Sequence, residues 1–131
     1  MLHVRHAMTR LVLVIGPHHT ILDAARLMLQ KRVGAAIVVD ADLAGPGILT
    51  ERDVMRAVAE GADCTVTPVS EYMTYDACTA SAAWDLDTAA AEMCRGGFRH
   101  LIVVDGVEMV GVISMRDIVS ARVRDAVTAG V

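Results

Sequence analysis

Two stretches of the chain run through aliphatic residues to a hydroxyl and place an aspartate three residues later. They are Gly47-Ile-Leu-Thr-Glu-Arg-Asp53 and Gly111-Val-Ile-Ser-Met-Arg-Asp117. The shared form, G-h-h-[ST]-x-x-D, supports two kinds of chemistry. In one, the hydroxyl of Thr50 or Ser114 and the carboxylate of Asp53 or Asp117 make a capping box that satisfies backbone N–H groups at a helix start. In the other, the same helix start offers free N–H groups and partial positive charge to a phosphate, while the carboxylate accepts ribose hydroxyls. The motif alone fits either use. Other candidates are weaker. His18 and His19 are adjacent and point to opposite sides of an extended chain. His3 and His6 lie near the terminus, where order is often lost. No carboxylate or cysteine spacing accompanies these histidines, so no metal site is expected. Cys64, Cys78 and Cys94 form no CxxC pair and carry no signature of a nucleophile.

The elements that must position these residues come as a repeat. At a shift of 65, Val4, Met8 and Thr9 fall on Val69, Met73 and Thr74, and Ile37-Val-Val-Asp40 falls on Ile102-Val-Val-Asp105. One extra residue after Asp40 changes the shift to 64, and Gly47, Arg52 and Asp53 then meet Gly111, Arg116 and Asp117. Each copy reads as β-α-β-β-α. The opening strands are expected at 11–15 and 76–80, the second weaker. Amphipathic helices follow at 20–32 and 85–95, from apolar residues such as Ile21, Ala24, Ala25 and Met28 on one face. Gly34, and Gly96-Gly97, are read as the helix stops. Cys94, beside Met93, is expected in the core. Strands follow at 35–39 and 100–104, then at 47–49 and 109–113, running into helices that start at Thr50 and Ser114. Strands alternating with helices give mixed α/β layers. The boundaries are 1–60 for the first copy, 61–68 for a linker and 69–131 for the second, together one module.

Composition narrows the function. A chain of 131 residues suits one domain or two very small ones. Apolar residues make up 54%, too many for a disordered chain. The longest unbroken aliphatic runs span five residues, short of the ~20 needed for a membrane helix and of the 7–15 of a signal peptide. The odd, small cysteine count fits a reducing cytoplasm. The net charge of −4 and four aromatic residues give neither the basic face nor the stacking rings of a nucleic-acid binder.

The duplicated pattern resembles the CBS domain family, named after cystathionine β-synthase. The resemblance rests on Val4…Met8-Thr9, Ala36-Ile-Val-Val-Asp40 and Gly47…Thr50…Asp53. It rests equally on Val69…Met73-Thr74, Leu101-Ile-Val-Val-Asp105 and Gly111…Ser114…Asp117, and it covers about residues 4–125. The resemblance implies two repeats packed as a pseudo-twofold pair, pairs that often dimerise, and regulatory binding of AMP, ADP, ATP or S-adenosylmethionine in clefts between copies. Asp53 and Asp117 would hold ribose, with Thr50 and Ser114 beside ribose or phosphate. Cys78 would flank adenine at the Asp53 site, and Leu13 at the Asp117 site. The phosphate-facing residues would be Arg99 and His100 in copy two, and Gly34 and Ala35 in copy one. The Asp53 cleft is therefore expected to be the richer in positive charge. Ile37 and Ile102 stand where the family often has Pro, and Trp84 stands opposite His19.

The expected function is that of a non-catalytic ligand sensor. It needs no cofactor, takes an adenosine nucleotide as regulatory ligand, forms a homodimer and signals to an effector protein of another chain. The alternative is a non-binding dimerisation or interaction module in which the [ST]-x-x-D motifs serve only as caps. A small enzyme is the third reading and the least supported.

Overall fold

The computed structural model describes residues 1–10 and 12–130, and Leu11, at the head of the expected first strand, lies outside them. Elements run in the order α1 (Val4–Ala7), β1 (Val14–Ile15), α2 (Ile21–Lys31), β2 (Ala35–Val38), β3 (Gly47–Thr50) and α3 (Glu51–Ala59). After a single 3-10 turn at Val69–Glu71 come β4 (Thr79–Ser81), α4 (Leu86–Gly96), β5 (His100–Asp105), β6 (Glu108–Ser114) and α5 (Met115–Thr128). Among the described residues the strands form two three-stranded sheets, β1-β2-β3 and β4-β5-β6. In each, the first strand pairs parallel with the central one and the third pairs antiparallel with it. This is the mixed α/β class, realised as two similar β-α-β-β-α units.

The compact units are cut at different points from the sequence repeats. One comprises Met1–Arg10 with Cys78–Val131, and the other Leu11–Ala77. Each opening segment thus packs with the other copy's strands. In the first unit the Val4 N–H donates to the Trp84 carbonyl at 2.8 Å and the Arg5 N–H to the Ala82 carbonyl at 3.0 Å. Thr9 and Val112 exchange both backbone bonds, as Thr74 and Ile48 do in the other unit. The N-terminus is therefore held in place: Val4 and Ala7 join a core with Leu86, Met93, Leu101 and Ile113. Full burial of a valine stabilises by about 1.5–3 kcal/mol relative to exposure. Trp84 packs half-buried against that same core.

In the Leu11–Ala77 unit, Ile15, Ile21, Ala24, Met28, Ala36, Val38 and Leu49 build the core, joined by Val69. β2 is buried at each of its residues. Residues 61–68 form tight turns with a specific task. The carbonyls of Thr67 and Cys64 accept the N–H groups of Ile21 and Leu22, two of the donors that open α2 and have no partner inside the helix. Asp63 takes the Thr65 hydroxyl at 2.6 Å and its N–H at 3.0 Å, which hold its carboxyl below the ordinary value.

Three expectations are corrected. α2 is ended by Arg32 in the left-handed region at φ 57°, not by Gly34. In α4 the corresponding residue is Gly97 at φ 72°. The first strand is shorter than the aliphatic run suggests, because only Val14 and Ile15 pair in register with Ile37 and Val38. Cys94 is exposed. The buried face of α4 is Leu86, Ala89 and Met93, and a residue one step beyond Met93 turns about 100° away from it.

Candidate functional site

Each unit brings its hydroxyl-x-x-Asp motif to the point where the third strand becomes a helix. Thr50 has extended backbone, so it ends β3 and caps α3 at once. The Asp53 N–H donates to Thr50 Oγ1 at 3.3 Å, and the Thr50 N–H donates back to Asp53 Oδ2 at 2.8 Å. The Thr50 hydroxyl also donates to Oδ2, at 3.0 Å. Ser114 and Asp117 repeat the box: the Asp117 N–H reaches Ser114 Oγ at 3.0 Å, and the Ser114 N–H reaches Asp117 Oδ2 at 2.9 Å. Both capping boxes are complete, and both engage the aspartate through Oδ2.

The surroundings of the two carboxylates differ. Asp53 Oδ1 faces Arg56 Nη2 at 3.4 Å, with the Asp53 side chain 15% exposed and that of Arg56 50%. Arg56 also donates to the Tyr72 carbonyl at 3.1 Å and lies 5.0 Å over the Tyr72 ring. The Tyr72 hydroxyl in turn donates to Glu60 Oε1 at 3.0 Å. Desolvation first, and the Glu60 hydrogen bond second, raise the Tyr72 pKa above the ordinary tyrosine value. The residue opposite Arg56 in the second copy is Ser120, so the same step of α5 offers Asp117 no cation.

The other candidate positions collect at the same end of each sheet. In the Leu11–Ala77 unit the register sets Ala35 against Thr50. Gly34, just before it, accepts the Glu51 N–H at 3.0 Å, and Leu13 accepts the Ile37 N–H at 2.8 Å. In the unit containing Cys78–Val131, His100 lies against Ser114. Arg99 accepts the Met115 N–H at 3.0 Å, and Cys78 accepts the Ile102 N–H at 3.1 Å. Leu13, Gly34, Thr50 and Asp53 thus belong to one unit, and Cys78, Arg99, His100, Ser114 and Asp117 to the other. Leu13 turns its side chain into the core, whereas its counterpart Cys78 is exposed.

The histidines serve locally. His19 Nδ1 accepts the Gly16 N–H at 3.0 Å, and His6 Nδ1 accepts the His3 N–H at 3.1 Å. Among the described residues no group of three or more His, Cys, Asp or Glu is placed to hold a metal ion. No helix among them is long and apolar enough to cross a membrane. Sequence reasoning passed over Glu51, Arg56 and Tyr72. The signal for the first two was the alignment of copies, which sets Glu51 against Met115 and Arg56 against Ser120.

A duplicated β-α-β-β-α frame, with each third strand closing on a boxed helix start, defines a tandem-repeat α/β module. The chain belongs to the CBS domain family, whose model matches residues 4–60 and 69–124. It is 36% identical over 116 residues to the CBS domain-containing protein YhcV of Bacillus subtilis, covering 88% of this chain and 81% of that protein. Among solved structures it resembles the hexameric CBS-CP12 protein from bloom-forming cyanobacteria, with a TM-score of 0.85 and 28% identity, over 91% of this chain and 70% of that one. It also resembles the CBS domain protein PAE2072 from Pyrobaculum aerophilum, solved in complex with AMP. There the TM-score is 0.77 at 29% identity, over 88% of this chain and 89% of that one.

Proposed function

We propose that this chain is a cytoplasmic regulatory module that binds an adenosine nucleotide or S-adenosylmethionine and passes the change to a partner protein, without catalysing a reaction itself. The observation that carries the reading is the AMP complex of the Pyrobaculum protein, which matches 88% of this chain, and the family match over residues 4–60 and 69–124 takes in both hydroxyl-x-x-Asp boxes. The geometry is compatible with it. Each box engages its aspartate through Oδ2 and sets the carboxylate at the positive end of a helix, a pairing suited to ribose and phosphate. Signalling then follows from linkage: a ligand shifts the module toward the state it binds better, by no more than its differential affinity.

A second reading, an interaction module that binds no ligand, is favoured by two observations. The boxes and the Gly34 and Arg99 carbonyls give donors at both helix starts acceptors within the protein, and α5 exposes Val119, Val123 and Val127 at four-residue spacing. Thermal melts with AMP, ADP, ATP, S-adenosylmethionine and NAD separate the two. A ligand at 100 times its dissociation constant should add about 2.7 kcal/mol. A selective shift, lost in Asp53→Ala or Asp117→Ala, is the expected result. No shift with any of the five selects the interaction module, and the same variants would then cost only about 0.5–2 kcal/mol of stability.

A further inference from the structure

The two copies share one backbone frame at the position that the adenosine reading gives to phosphate, and they place opposite charge on it. In each unit the first residue of the helix donates its N–H to the residue just before the central strand. Glu51 donates to Gly34 at 3.0 Å, and Met115 donates to Arg99 at 3.0 Å. The side chains on this frame are an acid over a glycine in one unit, and a thioether beside an exposed arginine in the other. The Glu51 carboxylate lies alongside Gly34, at contact distance from where a Cβ would stand. A Cβ on Gly34 would lie 3.5 Å from Glu51 Oε1 and 3.7 Å from Oε2.

Resting on the adenosine reading, we infer that Glu51 excludes phosphate from the Gly34 position. That position takes an adenosine ligand whose 5′ substituent is uncharged or cationic, while the Arg99 position takes a phosphorylated one. Two physical reasons support this. A carboxylate in the first turn of α3 already meets the partial positive charge of the helix start, the same attraction a phosphate would use. A phosphate brought beside Gly34 would also stand next to a like charge, and like charges at such range repel even through partly exposed surroundings. In the other unit the Arg99 guanidinium offers a fork that matches phosphate oxygens.

Isothermal titration of the full chain with adenosine, AMP and S-adenosylmethionine tests this, using wild type, Glu51→Gln and Glu51→Met. Both substitutions should tighten AMP at one class of site roughly three- to ten-fold at low salt, with the gain shrinking as salt is added. Adenosine should keep its wild-type affinity, and S-adenosylmethionine should weaken. Unchanged AMP affinity, or AMP and adenosine moving together, overturns the inference while leaving the adenosine reading standing. If none of the three ligands binds wild type or variants, both fall together.

Discussion

Gly111 lacks a side chain because a backbone needs its place. A Cβ there would lie 2.5 Å from the Thr9 carbonyl oxygen, closer than real Cβ contacts, and that oxygen belongs to the paired opening segment. Gly47 stands in the same relation to Thr74, whose carbonyl oxygen would lie 2.8 Å from its Cβ. Gly111→Ala should therefore push Thr9 off Val112 and cost about 1–3 kcal/mol, read as a lowered urea midpoint. An unchanged midpoint would mean that the opening segment yields freely. Asp85, the N-cap of α4, accepts the Thr88 N–H at 2.7 Å. That bond, foremost, holds its carboxyl below the ordinary 3.8. A depressed folded pKa means that the cap contributes fully above the unfolded value and is lost as pH falls through the folded one. Between pH 5 and pH 3 the urea midpoint should fall, and Asp85→Asn, which keeps a capping oxygen without the titration, should flatten part of that fall. Parallel curves for both proteins would remove Asp85 from the acid response.

At the scale of the element, the ends of α2 and α4 show one backbone requirement met by two different residues. The chain leaves both helices through a left-handed residue, Arg32 after α2 and Gly97 after α4. The left-handed region crowds a Cβ against the neighbouring carbonyl at roughly 1–2 kcal/mol, which glycine escapes. Part of that gain is offset by the entropy glycine loses on folding. Arg32→Gly should raise stability by about 0.5–1 kcal/mol, and a denaturation curve that shifts downward would show that the Arg32 side chain contributes more than its backbone costs. The amphipathic helices were legible in the sequence to within a residue or two, because their apolar spacing and caps are local. Gly34 was misread as the helix stop because a glycine near a helix end is a statistical cue, whereas the left-handed residue is set by where the strand must begin. Cys94 was misplaced because one step along a helix separates the core face from solvent, and adjacency to Met93 does not reveal which side of that step a residue takes.

At the scale of the whole molecule, the proposed homodimer needs a surface. The described part of α5 leaves Val119, Val123 and Val127 more than half exposed along one stripe, and α3 leaves Met55 and Val58 exposed. Sedimentation velocity should show a dimer that Val123→Glu dissociates, since a charge in an apolar contact is left without a partner. A monomer at all concentrations would assign these residues to a contact with another protein.

What the sequence determined by itself is the part written in local patterns: the duplication, the order of strands and helices, and the two hydroxyl-x-x-Asp caps. Each depends on residues a few positions apart, so spacing suffices. Tertiary structure decided the rest. It gave each opening segment to the strands of the other copy, so that Met8-Thr9 lies on Gly111-Val112 and Met73-Thr74 on Gly47-Ile48. It also tied Asp53 through Arg56 to Tyr72 and set Glu51 against Gly34. Several of these pairings span tens of residues, and no periodicity encodes them. They are fixed by which buried surfaces and backbone donors find partners when the chain closes on itself.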